Sequence, residues 1–237
     1  WTQFLGAFND NLYKNALVIL MTLNAASYTA LSIELLIPLS GGLFILLFFL
    51  FSALAGQLAD KFEKSHLIRL IKVVEISIML LAALGFYLQN IWFLLAVLFF
   101  MGCQSSLFGP VKYSILPQHL SEEGLLKGNA LIEMGTFLAI LLGTLIGGLL
   151  IADQESGRLY VSVLVLSVAV FGWLSSLKIP LAHSVNQELN INWNIFSETW
   201  NILSGLSRQR LIFAAVMAIS WFWFIGATML SLLPLPA

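Results

Sequence analysis

The chain has 237 residues, of which 59% are hydrophobic and only 10% charged, and its mean hydropathy is +0.94. A soluble domain carries about 25% charged residues, so this composition excludes an ordinary soluble enzyme and points to an integral membrane protein. A net charge of -1 gives no basic footprint for nucleic acid, and the single cysteine, Cys103, allows no disulfide within the chain.

About 20 apolar residues cross a bilayer. On that measure seven spans are predicted, at roughly 2–24, 35–57, 67–88, 91–116, 128–151, 159–178 and 210–233. The first is too long, and lacks the basic leader, for a cleaved signal peptide. Both ends fall in or beside helical stretches, at Trp1 and at Pro234–Ala237, so the expectation is a piece of a longer protein. Basic residues set the orientation. Lys61, Lys64, Arg69, Lys72, Lys127, Lys178, Arg208 and Arg210 flank alternate connections, whereas the opposite set holds only Arg158. The first set is therefore placed in the cytoplasm, together with the start of the chain.

The first span is the most polar. Phe4–Leu20 carries Asn9, Asp10, Asn11, Lys14 and Asn15. A charge at mid-membrane costs roughly 2.5–3.5 kcal/mol on insertion scales, and such residues face a bundle interior or a water-filled cavity. Gln3, Asp10 and Lys14 share a helical face, with Asn11 and Asn15 beside it. Asp10 precedes Lys14 by four, the favourable order for an ion pair. This helix is either a wall of a polar path or a helix neutralised by its own Asp–Lys pair and packed through asparagines.

The second span ends in Gly56–Gln57–Leu58–Ala59–Asp60–Lys61, with Glu63 and Lys64 after it. Gly56 is expected to permit close helix approach. Asp60, with Lys61 and Lys64 beside it, is expected to latch one conformation by pairing with a facing helix N-terminus or a basic residue. In the third span, Glu75 follows Lys72 by three, the spacing of a local ion pair. The fourth carries Gln104, Ser105, Ser106, Gly109, Pro110 and Lys112. Ser105, Gly109 and Lys112 share a face, Pro110 is expected to kink the helix, and Lys112 either faces a cavity or snorkels to the interface. In the fifth, Gly143 and Gly147 form a G-x-x-x-G contact, and Glu133 either lines the cavity or pairs with a neighbouring lysine. Between the sixth and seventh spans, Trp193, Phe196, Trp200 and Leu203 recur at helical spacing, with Asn194 or Asn192 as N-cap. That segment is either an interfacial amphipathic helix or a linker packed on the bundle. Spans one and four both open with F-x-G and carry a Lys and a Tyr further on, a faint sign of an inverted three-plus-three repeat.

No metal cluster, nucleophile with a base, or phosphate loop is legible in the sequence, so no catalytic residue, metal or cofactor is assigned and the chain is read as a non-enzyme. The expected organisation is a six-helix bundle over 1–178, a cytoplasmic linker with an interfacial helix over 179–209, and the first helix of a second bundle over 210–237.

These stretches together resemble a known group. The 56–64 segment resembles the loop motif of the major facilitator superfamily, although Glu63 stands where that motif has its second glycine. FLGAFNDNLYKNALVIL, GQLADKFEKSHLIRLIK, FFMGCQSSLFGPVKYSILPQHL and LLKGNALIEMGTFLAILLGTLIGG resemble the bacterial lysophospholipid transporter family within that superfamily. The resemblance covers spans one to five in sequence and the rest by layout. It implies a twelve-helix fold in the bacterial inner membrane, of which this chain is about the first half. It also implies inward movement of lysophospholipids, such as lysophosphatidylethanolamine, for reacylation by a cytoplasmic acyltransferase, fused or separate. The family's polar cavity residues carry over to Asp10, Asn11 and Lys112, with Lys14 and Glu133 as further candidate headgroup ligands at similar depth. Efflux of drugs or other amphipathic molecules is the alternative within transport, and a membrane scaffold is the alternative outside it.

Overall fold

The computed structural model describes residues 1–28, 33–153 and 155–232. Among these residues every regular element is helical: α1 (Thr2–Tyr28), α2 (Ile33–Lys61), α3 (Lys64–Leu88), α4 (Ile91–Ser114), α5 (Leu116–His119), α6 (Glu122–Ile151), α7 (Gly157–Ser176), α8 (Ile195–Ser207) and α9 (Arg210–Leu232). Each of the seven expected spans contains one long helix. Residue 233, at the end of the seventh, and residues 234–237 lie outside the described residues. Among the described residues, four helical stretches are long and apolar enough to cross a membrane: Pro38–Lys61, Ile91–His119, Glu122–Ile151 and Gly157–Ser176. A fifth follows if α8 and α9, bent by 119°, count as one broken span. α1 and α3, which carry Asp10, Lys14, Lys72 and Glu75, are not in this set. The protein is thus a multi-pass membrane protein.

The helices run further than the apolar stretches do, because local capping extends them past the oily core. Glu63 starts α3 by accepting from the backbone N–H of Ser65 (3.0 Å) and His66 (2.7 Å). Ser121 caps α6 at Gly124, and Glu122 and Glu123 lie in its first turn, where the helix dipole favours negative charge. Of the residues between the fourth and fifth expected spans, 122–127 therefore belong to α6 itself. The α3–α4 turn is as tight as the Gln89–Asn90 pair suggests. Gln89 takes φ 53°, a left-handed conformation, while Asn90 caps α4 at Phe93. α4 continues through Pro110 to Ser114.

α1 sits at the centre, packed against α2, α4, α6 and α7. Leu12, Tyr13, Ala16, Leu17 and Met21 are fully buried in its core cluster, and the Tyr13 hydroxyl donates to the Leu94 carbonyl at 2.7 Å. The G-x-x-x-G expectation holds, and the partner of α6 is α1. A Cβ on Gly143 would lie 2.6 Å from the Phe8 carbonyl oxygen, and one on Gly147 would lie 2.4 Å from that of Leu12. Only residues without side chains let the two backbones come this close.

The linker after α7 has two parts. Its first part packs on the bundle; its second part is α8, capped by Asn194 at Ser197, with Trp193, Phe196 and Trp200 facing outward at 70–73% exposure. Asn192 is not the cap. Its carboxamide instead bonds Glu198 and the Asn194 N–H. α9 reaches α6 through Phe137, whose ring stacks on Trp223 with centroids 5.6 Å apart.

Candidate functional site

The polar residues of α1 divide by helical face. Asn9 points toward α3, where its Nδ2 donates to Glu75 Oε1 at 3.1 Å. Lys72 Nζ lies 2.6 Å from Glu75 Oε2, in a pair whose side chains are 1% and 2% exposed. Gln104 of α4 adds a donor to the same oxygen at 3.5 Å, and the Lys72 ammonium lies 5.0 Å from the Phe108 ring centroid. The local ion pair expected from the sequence is therefore present. Its depth is not what was expected: Lys72 was placed at the cytoplasmic helix entry, yet it lies roughly 12 Å along α3 from Lys64 at 1.5 Å per residue and is fully buried. Gly6 makes room for it: a Cβ there would lie 2.5 Å from Lys72 Nζ, whereas one on Gly172, 3.7 Å away, would make an ordinary contact. Charge on charge at such depth is tolerable because the two ions match each other, Asn9 and Gln104 donate to the carboxylate, and the Phe108 ring faces the ammonium.

The other face of α1 holds the residues expected to meet a ligand. Asp10, half-buried, accepts a hydrogen bond from Ser105 at 2.6 Å. Lys14 donates to Asn11 Oδ1 at 3.2 Å and lies 5.5 Å from the Phe44 ring centroid. Asn11 also donates to the Ala7 carbonyl at 2.8 Å. Lys72–Glu75 is the only ion pair within 4.0 Å among the described residues, so the expected Asp10–Lys14 pair does not form. The hydroxyl of Ser105 on α4 and the amide of Asn11 offer each charge a neutral partner instead. Asn15 and Gln3 turn to α6, bonding the Thr144 carbonyl (2.7 Å) and the Thr136 hydroxyl. They are packing groups rather than members of a polar wall.

On α4, Lys112 lies with its ammonium 4.9 Å from the Tyr113 ring centroid. The Tyr113 hydroxyl donates to Glu133 of α6. Glu133 is thus joined to α4 through a tyrosine and has no lysine within ion-pair distance. Tyr113 was not singled out in the sequence. Its position beside Lys112 and the acidic residue on α6 were both visible, but not the meeting of the two helices. Asp10, Asn11, Lys14, Lys112 and Glu133 therefore lie on three helices, with charges of both signs and no ion pair among them.

The 56–64 segment is built differently from the expectation. Gly56, Asp60 and Lys61 lie in the last turns of α2, not in a loop. A Cβ on Gly56 would meet nothing within 4 Å, so the expected close helix approach is absent here. The Asp60 carboxylate is exposed and makes no hydrogen bond or ion pair among the described residues. Its backbone carbonyl does the work, accepting from the N–H groups of Val185 (2.9 Å) and Asn186 (3.0 Å). Lys64 is fully buried, with Nζ donating to the His183 carbonyl at 3.2 Å. Glu63 accepts the Ala182 N–H at 2.7 Å while capping α3. Burial raises the Glu63 carboxyl, but hydrogen bonds from the Ala182, His66 and Ser65 amides and the Ser65 hydroxyl outweigh it and bring the pKa down to about 2. Gln57 and Asn192 complete the seam, the Asn192 N–H donating to Gln57 Oε1 at 2.8 Å. The residue that departs from the family motif is thus the anchor of a clamp on the linker.

The structure is that of a helical, multi-pass membrane protein with a neutralised ion pair in its core and, on its central helix, charges that meet no counter-ion within ion-pair distance among the described residues. The sequence comparison narrows this: the Major Facilitator Superfamily model matches residues 1–235, and the chain belongs to that superfamily. Among its relatives, the Lysophospholipid transporter LplT of Photorhabdus laumondii is 30% identical over 99% of this chain. The proteins of the same name from Serratia proteamaculans and Klebsiella pneumoniae are 28% and 31% identical, each over 98% of the chain. The chain spans about half the length of these curated relatives, 55% in each case.

Proposed function

We propose that this chain is the amino-terminal part of a secondary transporter that moves lysophospholipids, such as lysophosphatidylethanolamine, across the bacterial inner membrane to the cytoplasmic leaflet by alternating access. The observation that carries the reading is a contrast in charge matching. Lys72 and Glu75 neutralise each other in the core, whereas Asp10, Lys14 and Lys112 have only neutral partners among the described residues. A zwitterionic headgroup brings a phosphate and an ammonium. Lys112 or Lys14 would meet the phosphate, and Asp10 or Glu133 the ammonium, with Asn11 holding Lys14 in place. The relatives' printed names support the same substrate class.

In this reading residues 1–178 form a six-helix bundle with an inverted three-plus-three repeat. Residues 179–209 are a cytoplasmic linker whose α8 lies in the membrane interface, and 210–237 begin a second bundle. Gly56, Asp60, Lys61 and Lys64 belong to the conformational switch, Lys64 through the clamp and Asp60 through its unoccupied carboxylate. A cytoplasmic acyltransferase, fused or separate, would consume the delivered lipid.

Headgroup-resolved uptake in proteoliposomes containing the whole protein tests this. Saturable movement of lysophosphatidylethanolamine, lost in protein-free vesicles, is expected. Export of amphipathic drugs without lysophospholipid movement would replace the reading with efflux.

A further inference from the structure

Lys112 on α4 and Glu133 on α6 carry opposite charges, yet they do not pair, and Tyr113 stands between them. Its hydroxyl donates to Glu133 Oε1, and its ring centroid lies 4.9 Å from Lys112 Nζ. That distance is inside the roughly 6 Å range of a cation–π contact. The direction of the hydrogen bond is fixed, because an ionised carboxylate has no hydrogen to give. The two contacts support each other. Hydrogen-bonded groups polarise one another, and a phenol that leans its hydrogen toward a carboxylate gains electron density on the ring that the ammonium faces. No other side-chain hydrogen bond joins α4 to α6 among the described residues.

Without this phenol the two charges would meet. Of the acidic groups, Glu133 acts most strongly on Lys112, ahead of Asp10. One ring and one hydrogen bond separate them, and lysine carries its ammonium on a flexible four-carbon stem that can turn toward a carboxylate. Opposite charges that close attract strongly where water is scarce. A Lys112–Glu133 salt bridge would fill the site from within, and an incoming phosphate would have to break it. We propose that Tyr113 is a positioning residue that keeps Lys112 and Glu133 apart in the empty site, so that Lys112 stays available to the lipid phosphate. The proposal rests on the lysophospholipid reading of the site.

Tyrosine is the side chain that suits this role. Phenylalanine would hold the ammonium over its ring but offers Glu133 no donor, and serine or threonine would offer a donor without the ring or the reach. Each charge is held on one side and left open on the other. Glu133 Oε2 accepts no hydrogen bond among the described residues, and Lys112 Nζ donates none. The other charges of the site are already engaged: Lys14 donates to Asn11, Asp10 accepts from Ser105, and Lys72 pairs with Glu75. Tyr113 is itself 39% exposed, so removing its one oxygen leaves the packing of α4 in place.

Two measurements on the whole protein in detergent test this, one with lipid and one without. The first is the affinity for lysophosphatidylglycerol, which carries the phosphate and no ammonium. Tyr113→Phe should weaken it on the order of tenfold, the scale of a coupling between neighbouring charges. Adding Glu133→Gln should return the affinity to that of Glu133→Gln alone, because the carboxylate that captures Lys112 is gone. If the hydroxyl is merely structural, or touches the lipid itself, Tyr113→Phe costs as much in the Glu133→Gln background as in the wild type. That result overturns the proposal and leaves the transporter reading standing, as does an undiminished affinity in Tyr113→Phe. Wild-type protein that binds neither lysophosphatidylglycerol nor lysophosphatidylethanolamine overturns the substrate reading, and with it the role of Tyr113 in phosphate binding. The second measurement then decides whether Tyr113 separates the charges at all. Thermal unfolding midpoints of the empty protein give the coupling between Lys112→Met and Glu133→Gln, which should be larger in the Tyr113→Phe background than with Tyr113 present. A coupling no larger there overturns the proposal whatever the lipid is.

Discussion

Two polar regions hold this molecule together, and they are built from opposite materials. In the bundle core, side chains bond side chains: Asn9, Lys72, Glu75, Gln104, Ser105 and Asp10 come from three helices whose own backbones are already satisfied. At the linker clamp, side chains bond main chain: Glu63, Lys64 and Arg69 serve the N–H of Ala182 and the carbonyls of His183 and Ile179, in a stretch with no helix of its own. The difference follows from where backbone groups lack partners. Inside a membrane protein every backbone group must be paired within its helix, which leaves side chains to relate one helix to another. Outside it, an irregular linker exposes backbone groups that charged side chains can capture.

The comparison ranks the expected effects of mutation. The largest falls on the core pair. Glu75→Ala strands Lys72 in a dry site, and breaking a buried pair from one side costs roughly 3–5 kcal/mol. The double variant Lys72→Met with Glu75→Met should recover most of this loss in thermal unfolding of the detergent-solubilised protein. Single variants as mild as the double would mean that the pair is solvated. Next comes the helix contact in which no side chain takes part. Gly147→Val places atoms against the Leu12 backbone, and overpacking of this kind costs about 1–3 kcal/mol. Its unfolding midpoint should fall while Gly56→Val, in open space, leaves it unchanged.

The clamp should be milder. Glu63→Ala removes a helix cap, worth about 1 kcal/mol, and frees the linker at Ala182, so proteolysis within 179–192 should quicken while the core stays folded. The pH dependence has a definite sign. The folded Glu63 carboxyl sits at about 2 against an ordinary 4.5, so its contribution is complete above about 4.5 and is lost as pH falls through that window toward 2. Wild-type protein should therefore show accelerating linker cleavage by an acid-active protease across that range, and Glu63→Gln should not. The smallest effect on stability belongs to Asp60→Asn, within about 0.5 kcal/mol, because the carboxylate has no partner among the described residues. Transport rate should nevertheless fall; an unchanged rate would remove Asp60 from the switch.

The long helices, the G-x-x-x-G contact, the Lys72–Glu75 pair and the helix at α8 were legible because each is encoded locally, by hydropathy or by spacing along one helix. What the sequence misplaced depended on neighbours across the fold. Lys72 looks like an interfacial lysine until Gly6 is seen to clear a space for it. Asp10 and Lys14 have ion-pair spacing, yet Ser105 and Asn11 intercept them. Glu63 looks like a flaw in the family motif, but Ala182, over a hundred residues away, makes it a cap and an anchor. Tyr113 gains its role only because α4 and α6 bring it to Glu133.

The most direct test of the proposed site is uptake of zwitterionic and anionic lysophospholipids by the whole protein carrying Asp10→Asn or Lys112→Ala. Asp10→Asn should depress zwitterion uptake far more than anion uptake, because only the ammonium contact is lost. Lys112→Ala should depress both, since both lipids carry the phosphate, and the double variant should lose less than the two single losses combined. Equal losses for the two lipids in Asp10→Asn would contradict the account, leaving Asp10 as a structural partner of Ser105 and placing headgroup recognition elsewhere.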